Sequence, residues 1–328
     1  MEKKYKVQTT CYTYNHESYI KDAMDGFVMQ KTTFPVVHVI VDDASTDGTV
    51  GMIDGYVHEN FDFGEGSEAF EKETDFGHVI YARHKTNRNC YFAVICLREN
   101  HRSQKKPKRP YLREWAKESK YIAMCEGDDY WIDPYKLQKQ VDFMESHMDF
   151  SLCFHSAKVL QENEFKQYIN CENVEEKEYD SNSIFPKWII PTASVLFRPA
   201  VLERKVKHRE MALYGDILLF LSAADIGKLW GMKEQMSVYR IHKGSVTQTE
   251  NGDLYRKWIR HEKCLRMNFP KLNKTRLNRA ISSYYYSLAR NDRNYIRKIN
   301  DYIGSFVNSP LYFVKKVLKG VGNKICLS

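Results

Sequence analysis

Asp128 and Asp129 stand side by side in "MCEGDDYW" (residues 124–131), directly after the apolar run Tyr121-Ile122-Ala123-Met124. Adjacent carboxylates repel, and desolvation raises their pKa unless a cation or hydrogen-bond donors compensate. Two readings follow. One is a solvated turn; the other is a site for a hard divalent cation, which takes oxygen ligands and is often shared between carboxylates and substrate phosphates. A second pair, Asp42-Asp43, follows the run "FPVVHVIV" in the same way. Acids placed alike at successive strand ends can converge on one ligand, which favours a metal–diphosphate site over two unrelated turns. Asp216 opens the apolar stretch "GDILLFLSAAD", where it reads as a helix cap. No G-x-x-x-x-G-K-[ST] loop occurs and no G-x-G-x-x-G follows a strand, so kinase and dinucleotide readings lose support.

The elements that must position these residues alternate. "KVQTTC" (6–11) reads as a strand, and Ile20, Ala23, Met24, Phe27 and Val28 recur at helical spacing after it. "FPVVHVIV" (34–41) is a near-continuous apolar, β-branched run, as in a strand covered on both faces. "VGMIDGYV" reads as a helix that Asp47 caps, and "HVIYAR" and "YIAMC" as further strands. Asp133 and Pro134 mark a helix start, continued by Leu137, Val141 and Met144. Such alternation implies a parallel α/β sheet, and in open α/β sheets ligands bind beyond the carboxyl ends of the strands. Residues 58–77 read as an acidic excursion, and "NHRSQKKPKRP" (100–110) as a mobile basic surface loop.

Composition bounds the rest. The chain has 328 residues, 43% hydrophobic and 28% charged, as in an ordinary globular protein. No apolar run reaches the ~20 residues that span a bilayer, and no signal-like segment opens the sequence. The eight scattered cysteines form no C-x-x-C pair, which fits buried thiols in a reducing cytoplasm. Seventeen Lys/Arg against three acids from Tyr255 onward give the tail a net +14, leaving −6 for the first 254 residues.

"VQTTCYTYNHESYIKDAMDGFVMQ", "HVIVDDASTDGT" and "YIAMCEGDDYWIDPYKLQKQVDFM", in that order, resemble the N-terminal half of a glycosyltransferase family 2 enzyme, of the kind that builds bacterial surface polysaccharides. "LYGDILLFLSAADIGKLW" and "MSVYRIHKGSVT" resemble the family's later motifs, so the likeness covers roughly residues 5–247. It implies an α/β GT-A fold over residues 1–248, with a nucleotide-binding half to about 130 and an acceptor half from 131, followed by a basic helical extension over 249–328. It also implies sugar transfer, with inversion, from a nucleotide-sugar (UDP-linked by resemblance) to a hydroxyl of a glycan or lipid-linked acceptor, assisted by Mn²⁺ or Mg²⁺. Carried over by position, Asp43 contacts the nucleobase and Tyr12, Thr13 and Tyr14 line the same side. Asp128 is the ribose- and metal-side acid, Asp129 the principal metal ligand, and Asp216 the general base. Arg240 lies near the diphosphate, and His242 joins the metal-side group.

Two other classes compete. A sugar-phosphate nucleotidyltransferase uses similar acids but calls for a Gly-rich, Lys/Arg-containing phosphate loop near the N-terminus, and "TTCYTYNHESY" is not one. A non-enzymatic membrane- or nucleic-acid-binding module would explain the tail but not the ordered acids, and no specific nucleic acid is expected. In "SPLYFVKKVLKGVGNKICLS", Leu311, Val314, Val317, Leu318 and Val321 lie near Lys315, Lys316, Lys319 and Lys324, the composition of an interfacial helix. The expectation is a cytoplasmic protein in peripheral contact with an anionic membrane surface.

Overall fold

The computed structural model describes residues 3–162, 164–167, 169–185, 189–242, 254–291 and 294–325, with side chains at the C-terminal end described to residue 318. The expected boundary at residue 248, the end of the "GSVT" motif and Cys326 fall outside them. The chain divides into two compact units, Met1–Glu203 with Ile226–Lys243, and Arg204–Asp225 with Gly244–Ser328.

The first unit is built on one sheet. Its main elements are β1 (Tyr5–Thr13), α1 (Ile20–Val28), β2 (Val36–Asp42), α2 (Thr49–Asn60), β3 (Gly77–His84), β4 (Cys90–Leu97), α3 (Arg109–Lys117), β5 (Ser119–Met124), α4 (Lys136–Ser146), β6 (Phe150–Gln161), β7 (Leu196–Phe197) and β8 (Lys228–Ile241). They lie in the order β8-β6-β7-β5-β1-β2-β4-β3, with short strands added at the margins. The pairs β5/β1, β1/β2, β2/β4 and β6/β8 are parallel, while β7 runs antiparallel to both neighbours and β3 antiparallel to β4. The α/β architecture expected from the alternation is therefore borne out, with the sheet mixed and mostly parallel rather than wholly parallel.

The burial pattern follows the sequence. Every residue of β2 is buried, because helices cover both faces of the central strands. On α1, Ile20, Ala23, Met24 and Phe27 face the core, and Gly26 lets the helix approach Trp131: a Cβ there would lie 2.9 Å from the Trp131 amide nitrogen. The helix expected to start at Pro134 begins at Lys136, with Asp133 accepting a hydrogen bond from the Tyr135 amide at 2.7 Å. Residues 61–73 are not a bare excursion, since Phe61–Asp62 and Phe70–Glu73 both pair with β3. Among the described residues the seven cysteines are free thiols, six of them buried.

The second unit is helical: α5 (Gly215–Ile226, whose last residue falls in the first unit), α6 (Leu254–Asn268), α7 (Lys274–Asn291), α8 (Tyr295–Asn308) and α9 (Pro310–Ile325). Ile259, Ile281 and Leu288 form a small core flanked by Tyr284 and Tyr285.

Lys136 is fully buried, donates to Gln140 Oε1 at 2.7 Å, and has its ammonium 4.2 Å from the Trp131 ring centroid. Burial pushes its pKa down from the ordinary 10.5 to about 7. Below pH 7 both states carry the proton, and the folded chain bears the full desolvation cost. Above it the folded chain sheds a proton that the unfolded chain keeps, so stability rises with pH up to the unfolded value. Lys136→Met is expected to be the more stable protein in urea unfolding at about pH 6, with its lead shrinking by up to about 1.4 kcal/mol per pH unit between about pH 7 and pH 10. A lead that does not change with pH overturns this account.

Candidate functional site

Because β1 lies between two parallel neighbours, both acidic pairs leave the sheet at the same edge, one on each side of β1. Backbone bonds extend the pairing past the strand ends: the Asp43 amide donates to Thr13 O and the Gly127 amide to Tyr12 O, both at 2.9 Å. Gly127 is needed for this approach, since a Cβ would lie 2.8 Å from Thr13 Oγ1 and 3.0 Å from His16 Nδ1. Thr13 is buried, and its hydroxyl has no hydrogen-bond partner among the described residues. Tyr14 is largely exposed, and Tyr12 lies under the Lys108 ammonium, 4.9 Å from its ring centroid.

The turn after β2 is stitched to the turn after β1. Asp42 accepts from the Ser45 amide at 2.9 Å and from the Ser45 hydroxyl. Ser45 Oγ accepts from the Asn15 amide, Asn15 Oδ1 from the Thr46 amide, and Thr49 Oγ1 from the His16 amide, at 2.8–2.9 Å. Asp47 accepts from the Thr49 and Glu17 amides. Asn15 and Ala44 take left-handed backbone conformations, φ 54° and 59°, which non-glycine residues adopt mainly where surrounding bonds hold them. The residues that make "YTYN" and "DDASTDGT" recognisable are thus the ones that lock the two turns together.

Asp43 is buried and held from the far side. His101 and Arg102 amides donate to it at 2.8 and 3.1 Å, and the Lys108 ammonium at 2.8 Å. Burial alone would raise its pKa, but Lys108 and these amides outweigh it and hold the carboxyl below the ordinary range. The basic segment 100–110, expected as a mobile surface loop, is therefore a structural bracket for this acid. Its composition signalled exposure, and only the fold shows that it returns to β2.

On the other side of β1, Asp128 and Asp129 part ways. Asp128 Oδ2 lies 3.1 Å from His242 Nε2 and 3.9 Å from His16 Nε2. Burial raises the Asp128 carboxyl, but the two histidines bring it below the ordinary value. Asp129 is buried, accepts from the Arg240 amide at 2.8 Å, and is pushed well up by burial and by Asp128. The Arg240 side chain donates to Asp128 O and to Asp22 Oδ2, both at 2.7 Å, between the rings of Tyr19 and Tyr130.

His16, Asp128 and His242 place three ligand atoms within 4.8 Å of one another, and they form the metal-type cluster found among the described residues. Asp129 does not take part in it. Burial lowers the His16 pKa, favouring the neutral imidazole a metal needs, and among the described residues its buried Nδ1 has no hydrogen-bond partner. The donor set of one carboxylate and two imidazoles suits a divalent ion such as Mn²⁺. His16 was missed in the sequence. Its one local signal is its place directly after the Tyr-Asn turn, and its partners come from distant segments. Asp216 lies in the second unit, at the start of α5, where its carboxylate accepts from the Ile217 amide at 2.8 Å. The structure thus brings Asp128, Asp129, Arg240 and His242 together and sets Asp43 across β1 from them.

The sequence profile of glycosyl transferase family 2 matches residues 12–204. An uncharacterized protein of Mycobacterium tuberculosis (strain H37Rv) is 29% identical over 246 residues, which is 75% of this chain but 62% of the relative's own length. The putative teichuronic acid biosynthesis glycosyltransferase TuaG of Bacillus subtilis is 24% identical over 261 residues, covering 79% of this chain and 88% of TuaG. Among solved structures, residues 1–349 of TarS from S. aureus in complex with UDP-GlcNAc match with a TM-score of 0.55 at 16% identity, over 90% of this chain and 79% of that one. The GT-A fold expected from the motifs is borne out by these likenesses. With more than half of its residues inside the family match, the chain belongs to glycosyl transferase family 2.

Proposed function

We propose that the protein is an inverting, metal-dependent glycosyltransferase that moves a sugar from a UDP-linked donor to a hydroxyl of a glycan or lipid-linked acceptor in bacterial surface polysaccharide synthesis. The observation that carries this reading is the convergence of Asp128, His16 and His242 at the strand edge where family 2 motifs flank β1. The bound UDP-GlcNAc of TarS and the teichuronic acid biosynthesis in which TuaG is named support the donor and the pathway class. Family membership displaces the nucleotidyltransferase and binding-module alternatives.

In this reading Tyr12, Thr13, Tyr14 and Asp43 line the nucleoside side, and Arg240 braces the diphosphate side. Asp128 and His242, with His16 added, would hold Mn²⁺ or Mg²⁺, and Asp129 completes the acidic wall beside them. A divalent ion held by these residues would supply positive charge to offset the negative charge gathering on the nucleoside diphosphate leaving group. Asp216 takes the proton of the acceptor hydroxyl. The hydroxyl oxygen forms its bond to the anomeric carbon as the bond to the diphosphate oxygen breaks, so one displacement inverts the configuration. Residues 1–248 act as the catalytic part, and the basic extension from 249 meets an anionic membrane surface on the cytoplasmic side, where a lipid-linked acceptor is presented.

In thermal unfolding with a panel of nucleotide-sugars and Mn²⁺ or Mg²⁺, a UDP-sugar plus metal is expected to stabilise the wild type, by about 2.7 kcal/mol at a hundredfold excess over Kd. Asp128→Ala is expected to abolish the metal-dependent part, and His16→Ala to weaken metal affinity by about tenfold or more in calorimetry without donor. An unaltered metal response in Asp128→Ala removes the metal reading. Asp216→Asn is expected to lower transfer by about 10²–10⁴ while keeping donor stabilisation. A rate within tenfold of wild type rules out Asp216 as the base.

A further inference from the structure

Helix α8 is packed inside out. Its inward face is polar or small: Asp301 is buried and paired with Arg256 at 3.4 Å, and Ser305 exchanges hydrogen bonds with Ser282 of α7 at 2.8 and 2.9 Å. Gly304 gives the close approach, since a Cβ there would meet the Tyr285 ring at 3.0 Å. The apolar residues Ile296, Ile299, Ile303 and Phe306 recur at helical spacing on the opposite face, each between 41% and 70% exposed. Helix α9 packs Phe313 against Tyr286 and Tyr302 but also leaves apolar side chains outside, with Leu311 81% and Leu318 64% exposed. The two stripes meet where the rings of Phe306 and Phe313 lie 5.8 Å apart. A soluble helix turns its apolar stripe to the core. Here the stripe has been left outside on two successive helices, and an apolar surface of this kind marks an interaction site.

Charge decides what covers it. Residues 294–325 contain six cations, Arg297, Lys298, Lys315, Lys316, Lys319 and Lys324, and one acid, the buried and paired Asp301. Arg297, Lys315 and Lys316 are exposed among the apolar side chains. A second copy of the same surface would set these cations against one another. An anionic bilayer surface instead accepts the apolar side chains below its headgroups and the cations among them. We propose that α8 and α9 together form an interfacial docking surface for anionic lipid, with the apolar stripe of α8 as its main inserting element. This deepens the reading of the basic tail as a membrane contact but does not rest on the transfer chemistry.

Flotation of the full chain tests it, using vesicles of phosphatidylcholine alone and vesicles with about 30% phosphatidylglycerol. The chain is expected to bind the anionic vesicles at least about tenfold more tightly. Ile299→Asp with Ile303→Asp, both at exposed positions, is expected to lose binding to both kinds of vesicle by more than about tenfold at an unchanged melting temperature. Lys315→Gln with Lys316→Gln is expected to weaken only the anionic binding, by about ten- to thirtyfold. Wild-type protein that does not float, or an Asp double variant that floats like wild type, overturns the proposal. So does a dimer in sedimentation that the Asp variant dissolves while no vesicle is bound. Donor-dependent thermal stabilisation, measured on the same preparations without lipid, reports on the transferase reading separately, so either result can fail while the other stands.

Discussion

Arg240 is the tie on which the acidic turn depends. From the end of β8 its amide holds Asp129, and its guanidinium holds Asp128 O and Asp22 at the start of α1. Two adjacent carboxylates in a nearly dry turn would otherwise be driven apart by repulsion and desolvation. Asp129 Oδ1 accepts from the Arg240 amide, while Asp128 Oδ2 faces the two histidines. The difference between these two adjacent aspartates is therefore set by distant residues, Arg240 on one and His16 and His242 on the other.

A similar economy runs through the other side of β1. The turn after β2 carries hydroxyl and carboxylate side chains that satisfy the amides of Asn15, His16 and Glu17. These bonds hold Asn15 and Ala44 in left-handed conformations at the strand edge, and they also place His16 opposite Asp128. Asp43 is anchored by the basic bracket from 101 to 108. Preorganised side chains of this kind hold a ligand site without further rearrangement. The second unit shows the opposite arrangement, with hydrogen bonds buried between α7 and α8 and apolar side chains left outside.

Much of this was legible in the residues. The alternation of strand and helix, the burial of every position in "VVHVIV", the inward stripe of α1, and the placing of both acidic pairs at strand ends are all local or periodic properties. They need only hydrophobic spacing and turn chemistry to be read. The family motifs belong to the same level, because they are the turn-locking residues themselves.

The tertiary structure decided which oxygens are already taken. Nothing local distinguishes Asp128 from Asp129, marks His16 as their partner, or shows that a basic, proline-broken loop closes over Asp43. Nor does helical spacing tell which face of α8 is turned inward, since the pattern is equally amphipathic either way round. Side-chain partners from distant segments depend on strand order and on how the chain returns, and those contacts have no periodic signature in the sequence.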